Sequence, residues 1–313
     1  MPYADKIVIV FALVKKIMNT SKNIVMIPDR FRDPYIFENI LSMQENIFKE
    51  KTVLDLSKIS FMEPYSMLSF LILGRNYLRK TGEKLKLANI PIHIKQYLTR
   101  MDFFESDVFV LTDSLNDFVM FKRNSSSSRL LEITMIPNKE RQGVDVITSV
   151  IELFRKRASM ILKYWMNDSV TDYFVTVISE LCQNIFEHSL DTGYIAMQTY
   201  RSGNENIARL VIVDSGIGIL KSFSSRDDLQ YSGGAELIEM ALTTPISSKR
   251  EFGYGLCQVN SIAEILNGTI FIRSDESSLT ALYDRKEKSS KYIFHRNGLS
   301  QFNGTQISIS LSA

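Results

Sequence analysis

Glu180, Asn184 and His188 stand four residues apart in the stretch Glu-Leu-Cys-Gln-Asn-Ile-Phe-Glu-His. At that spacing they share one stripe of a helix, with successive members about 6 Å apart along its axis. A carboxylate and an amide one turn apart can serve one phosphate group. The amide oxygen of Asn184 suits Mg²⁺, a hard ion that takes oxygen ligands and shares its shell with waters and phosphates. The Glu180 carboxylate can take a proton from an attacking water or hydroxyl. On their own these residues equally describe a solvated helix face, and His188 a helix-end histidine.

Three more signatures follow in order. Asp214-Ser-Gly216-Ile-Gly218 comes after the apolar run Ala208–Val213. An acid at a strand end can accept from an adenine amino group, and glycines there allow positive φ and close backbone approach. Gly253-Tyr254-Gly255-Leu256 precedes a predicted helix, whose first N–H groups can face an anion. Gly304-Thr305 opens a predicted strand, Gln306–Leu311, where the Thr hydroxyl can complete an adenine site. Each signature alone reads as turn or loop chemistry. Their order and spacing together describe a nucleotide pocket.

The elements that position these groups are legible from periodicity. Phe174, Ile178, Leu181 and Ile185 recur at helical steps and predict one helix over 172–190. A second helix is predicted over 144–167 and a third over 256–267, stopped by Gly268. Between Gly218 and Gly253 lies a long segment with a polar stretch, 222–228, glycine hinges at Gly233 and Gly234, and a short predicted helix, 235–243. Such a segment reads as a lid. Lys249 and Arg250, just before Gly253, are candidates to neutralise a γ-phosphate.

As a set, residues 129–313 resemble the GHKL (Bergerat-fold, histidine-kinase-like) ATPase domain of the anti-sigma serine kinase type. The resemblance implies Glu180 as general base, Asn184 as Mg²⁺ ligand, and Asp214, Gly216 and Gly218 around adenine. It also implies that Gly253, Tyr254, Gly255 and Leu256 face phosphate, with Lys249, that Thr305 closes the adenine site, and that His188 belongs to the nucleotide-binding set. ATP and Mg²⁺ are the cofactors it implies. The implied fold is a mixed sheet covered on one face by helices.

Residues 21–120 form a second α/β unit. Val53-Leu-Asp-Leu56 reads as a strand and Ile59-Ser-Phe-Met62 as a turn. Pro64 suits the first position of a helix with Met67, Leu68, Leu71, Ile72 and Leu78 on its buried face, ended by Gly82. Another strand starts at Leu85, and Ile94, Tyr97 and Leu98 mark another helix. This unit resembles the STAS domain of anti-sigma-factor antagonists, in which the N-terminus of that helix is phosphorylated by a GHKL serine kinase. The resemblance makes Tyr65 and Ser66 the candidate phosphoacceptors. Ahead of it, Ile7, Phe11, Val14 and Met18 predict a short helix within residues 1–20, and the polar run 121–128 predicts a linker.

The chain therefore reads as α/β (α+β sandwiches). Its 313 residues favour two domains, and 45% hydrophobic with 23% charged residues is ordinary for a globular protein. A net charge of +2 gives no field that points to nucleic acid or membrane. The run Ile7–Val14 is far too short to cross a bilayer and carries no secretory signature, so a cytoplasmic setting is expected. Cys182 and Cys257 read as small buried hydrophobes.

Two functions compete. One is an ATP-dependent enzyme, a slow ATPase or protein serine kinase that depends on Glu180. The other is a non-catalytic ATP switch or dimerisation module that acts through lid closure. Partners are expected to be proteins, a STAS-type or regulatory protein or a second copy. A histidine-kinase-derived phosphotransfer protein is a weaker reading, because no His lies on the helix before Glu180. No transducer domain follows, which disfavours a topoisomerase or chaperone.

Overall fold

The computed structural model describes residues 23–31, 34–112, 127, 129–137, 144–189, 191–248, 255–283 and 291–312. The expected helix within 1–20 and most of the linker 121–128 lie outside these residues.

The N-terminal unit alternates short strands with helices. β1 (Asn23–Met26), β3 (Thr52–Asp55), β5 (Leu85–Ala88) and β6 (Phe109–Leu111) form one sheet in that order, parallel at every pairing. β2 (Arg30–Phe31) and β4 (Phe61–Met62) make a second, two-stranded parallel ribbon. Parallel neighbours require crossovers. These are α1 (Pro34–Leu41) with α2 (Gln44–Ile47), then α3 (Pro64–Thr81), then α4 (Ile92–Arg100).

α3 has the ends its sequence dictates. Pro64 occupies the first turn, and Gly82 takes the left-handed conformation at φ 73°, its N–H donating to the Leu78 carbonyl at 2.8 Å. Its burial differs from the single face expected. Every residue from Pro64 to Gly74 is buried. Leu78 is only half-buried, and Tyr77 takes its place inside. A helix apolar all round belongs between two layers. α3 packs on the parallel sheet at one side and on the C-terminal sheet at the other.

That C-terminal sheet has seven strands in the order β12-β11-β10-β13-β9-β8-β7. In chain order they are β7 (Leu130–Ile136), β8 (Gly193–Ser202), β9 (Glu205–Asp214), β10 (Thr269–Asp275), β11 (Ser277–Tyr283), β12 (Lys291–Arg296) and β13 (Phe302–Ser312). The α+β class holds. The sheet expected to be mixed is antiparallel at each described pairing, and parallel pairing is confined to the N-terminal unit. The sheet is also covered on both faces, not one.

The two faces alternate residue by residue, as the strand period requires. Ile195, Met197, Leu210, Ile212, Ile270, Ile272, Ile307 and Ile309 share a core with the C-terminal helices. Tyr194, Ala196, Val211, Val213, Phe271 and Phe302 share one with α1, α3 and the parallel sheet. Burial on both faces explains why Leu210–Val213 is a continuous apolar run and not an alternating one. The two expected domains therefore share one core. Arg209–Glu63, Arg75–Tyr194 (2.8 Å) and Arg273–Glu38 pairs stud its border.

The helices of the C-terminal unit are α5 (Val144–Leu162), α6 (Asp168–Asn184), α7 (Gly218–Ser222), α8 (Gly234–Thr243) and α9 (Gly255–Ile265). α5 stops short of the expected end because Asn167 caps the next helix, its Oδ1 accepting from the Val170 N–H at 2.9 Å. α6 ends earlier than expected, at Asn184, and runs into a π turn, Ile185–Ser189. Among the described residues no helix is long and apolar enough to cross a membrane.

Candidate functional site

One cleft draws a lining residue from each of the four signatures: Asn184, Asp214 with Gly218, Gly255 with Leu256, and Thr305. Its apolar walls are Leu181, Ile185, Ile212, Ile219, Phe223, Ile246 and Ile307. A mostly apolar cleft with a few convergent polar groups is the usual form of a small-molecule site.

Asp214 sits at the end of β9, where the strand leaves the sheet. It is 6% exposed. Its Oδ1 accepts from Ser189 Oγ at 2.9 Å and from the Gly216 N–H at 2.8 Å, and the Thr305 backbone N–H also donates to the carboxylate. Burial nonetheless dominates and pushes its pKa up to about 6, with the neighbouring Asp191 adding to the rise. A buried carboxylate held this way is suited to an uncharged ligand donor such as an exocyclic amine.

The turn after it depends on glycine twice. A Cβ on Gly216 would lie 1.8 Å from the Ser189 carbonyl oxygen, so this segment closes against the π turn as no other residue allows. Gly304 has φ 90°, and a Cβ there would lie 2.1 Å from the Asp214 carbonyl oxygen. Together they place Thr305 beside Asp214. The π turn widens the end of α6 and brings Ser189 to Asp214. Such turns recur at functional sites because the extra residue redirects the chain.

α9 starts hard against α6. An ideal Cβ on Gly255 would lie 2.9 Å from Asn184 Nδ2 and 3.7 Å from Glu180 Cβ. Asn184 thus lines the cleft. Glu180, one turn earlier, is exposed and is not among the lining residues. The segment expected as a lid begins at α7, pinned where Ser274 Oγ accepts from the Ile219 N–H at 2.7 Å. It returns over the cleft at Ile246, Ser247 and Ser248, and Arg226 ties it by donating to the Ser247 carbonyl at 2.6 Å. The helix expected at 235–243 is present as α8. Lys249, Arg250, Gly253 and Tyr254 lie outside the described residues, as does the side chain of His188.

Tyr65 and Ser66, the candidate phosphoacceptors, lie inside the molecule. Each is 1% exposed, in the first turn of α3 between the two sheets. The helix N-terminus would favour a phosphate electrostatically, but a dianion there would have to shed its water inside an apolar core. Phosphorylation of either hydroxyl would require α3 to be uncovered first. Both cysteines are free; Cys182 is buried as expected, whereas Cys257 is only half-buried.

The sequence reading passed over Asp191. It is 6% exposed, directly behind the Asp214 turn. Arg79 of α3 pairs with its Oδ2, and Arg75 Nη2 lies 3.5 Å from its Oδ1. Ser215 Oγ donates to Oδ2 at 2.5 Å and the Thr192 N–H to Oδ1 at 2.7 Å. Burial opposes its ionisation, but these donors and the Arg79 charge outweigh it and hold the carboxyl below the usual range. Asp191 stands in the short connection between the π turn and β8, where an acid reads as ordinary turn chemistry.

A comparison with curated proteins returns no match. Residues 170–311, which contain Asn184, Asp214, Gly255 and Thr305, match the family model described as "Histidine kinase-, DNA gyrase B-, and HSP90-like ATPase". This segment of the chain is thus similar to that family of ATPase domains.

Proposed function

We propose that the chain is an ATP·Mg²⁺-binding regulatory protein in which Asp214 reads the adenine amino group. Asn184 offers its amide oxygen to Mg²⁺, and Thr305 completes the adenine wall. Bound Mg²⁺ supplies charge neutralisation along the phosphates. The lid from α7 to Ser248 closes over the nucleotide, and its position is passed to a protein partner or a second copy of the chain. The strand–turn–helix from Val53 to Gly82, which carries the likeness to anti-sigma-factor antagonists, supports a protein-binding role for the N-terminal unit. The observation that carries this reading is Asp214: a buried carboxylate at a strand end, facing an apolar cleft, with donors already arranged on one oxygen.

Calorimetric titration of ATP with Mg²⁺ into wild type and Asp214→Ala tests it. Loss of binding in the variant is expected, and equal affinity in both removes the assignment.

A second reading, the non-catalytic switch, draws support from Glu180, which is exposed and outside the cleft lining. Release of labelled phosphate from γ-labelled ATP separates the two. The enzyme reading requires turnover that Glu180→Ala abolishes, and the switch reading requires none above background in either protein.

A further inference from the structure

The Asp191 cluster joins the N-terminal unit to the back of the Asp214 turn, and neither the family match nor the ATP assignment uses it. Arg79, in the last turn of α3, meets both Asp191 and Ser215, the latter with Nη1 to Oγ at 3.4 Å. Ser215 is the residue after Asp214. Its hydroxyl is held on Asp191, while the next N–H, from Gly216, is held on Asp214. The turn that presents Asp214 to the cleft is thus clamped from behind by a cation that belongs to the other unit.

We propose that Arg79 is a positioning residue for Asp214, acting through Asp191 and Ser215, so that docking of α3 sets the affinity and base selectivity of the nucleotide site. The nucleotide part of this rests on Asp214 being the adenine reader. The physical case is the cost of the alternatives. Two buried carboxylates stand close together behind one turn, and Asp191 stays ionised because Arg79, with Arg75 beyond it, offsets its burial. Without Arg79, only the longer Arg75 contact offsets Asp191, which then either takes a proton, and can donate towards Ser215, or keeps a less balanced charge beside Asp214. Both outcomes loosen Ser215 and Gly216. The coupling is reciprocal: a nucleotide that tightens the Asp214 turn must also tighten the end of α3.

The test uses the full chain with Arg79→Ala, Arg79→Lys and, as a control on the same unit, Lys84→Ala, which removes an exposed ion pair with Asp107. Arg79 is 44% exposed by side chain at the end of a helix, so alanine is compatible with folding. Amide exchange in nucleotide-free protein reads the link directly. Faster exchange at Ser215 and Gly216 in Arg79→Ala, reversed in Arg79→Lys and absent in Lys84→Ala, is the expected result. Unchanged exchange there overturns the proposal, whether or not any nucleotide binds.

Calorimetry with ATP and GTP then reads the consequence. Arg79→Ala is expected to weaken ATP about tenfold and GTP hardly at all, since the contact loosened is the one that reads adenine. An equal loss for both bases indicates general destabilisation and overturns the selectivity. A wild-type chain that binds neither nucleotide removes the adenine assignment itself, and the exchange arm still decides the link.

Discussion

Arg273 on β10 and Glu38 on α1 meet at two points, Nε to Oε1 at 2.6 Å and Nη2 to Oε2 at 3.1 Å, across the joint between the two units. Arg273 is fully buried, donates further to the carbonyls of Asp275 and Ser300, and stacks over Phe302. Each partner neutralises a charge that could not otherwise remain in this core. Glu38→Ala is therefore expected to destabilise the full chain by about 3–5 kcal/mol, because it strands a buried guanidinium. Joint replacement by Glu38→Met and Arg273→Met is expected to recover most of that loss. Urea unfolding midpoints of the three proteins check this, and a double variant no better than Glu38→Ala would count against it.

Asp214 predicts a trade of stability against binding. Its pKa, about 6 when folded, lies above the ordinary 3.8. Between those values the folded state holds the extra proton, so this group's contribution to stability falls as pH rises through that window. At neutral pH burial of the ionised carboxylate therefore costs up to about 3 kcal/mol. Asp214→Asn should melt at a higher temperature than wild type at pH 7.5, with the advantage shrinking towards pH 4. ATP affinity of wild type should fall as pH drops through about 6, as the carboxyl protonates. Melting curves at both pH values and titrations from pH 5 to 8 test the pair; a variant that melts lower at pH 7.5 refutes the first half.

Gly255→Ala separates folding from ion binding. The added methyl would meet the end of the Asn184 amide at 2.9 Å, a group that can swing aside, and alanine favours the helix that starts there. The variant should melt within about 1 kcal/mol of wild type yet lose most of the Mg²⁺ dependence of ATP binding. Full retention of that dependence in titrations with and without the ion would show that Asn184 does not hold it.

Much of this was legible beforehand, and the reasons differ by element. The limits of α3 follow from Pro64 and Gly82, since each residue acts on its own backbone. Its all-round burial is a different matter. Periodicity gives Phe70 and Leu73 no inner role, because the second surface against α3 comes from strands more than a hundred residues later. Asn184, Asp214 and Thr305 were readable because their order fixes a pocket whatever the intervening chain does. The π turn was not, since the same residues Ile185–Ser189 satisfy ordinary helical periodicity. Arg273 gave no local sign either, and Asp191, in the short connection before β8, reads as ordinary turn chemistry. In either place a charged residue reads as solvent-facing until its partner, Glu38 or Arg79, is brought in from the other unit.

β13 carries a consequence for how the protein is made. It emerges from the ribosome after every other described strand, yet it takes its place between β10 and β9. During translation the sheet must wait with a slot at its centre. α3 and the parallel strands, finished long before, provide a ready surface on which β8 and β9 can lie meanwhile. The strand that fills the slot also brings Thr305, so this wall of the cleft and the middle of the sheet are completed in the same step of folding. A nascent chain stalled before Phe302 would have its clamp in place and no nucleotide site to hold.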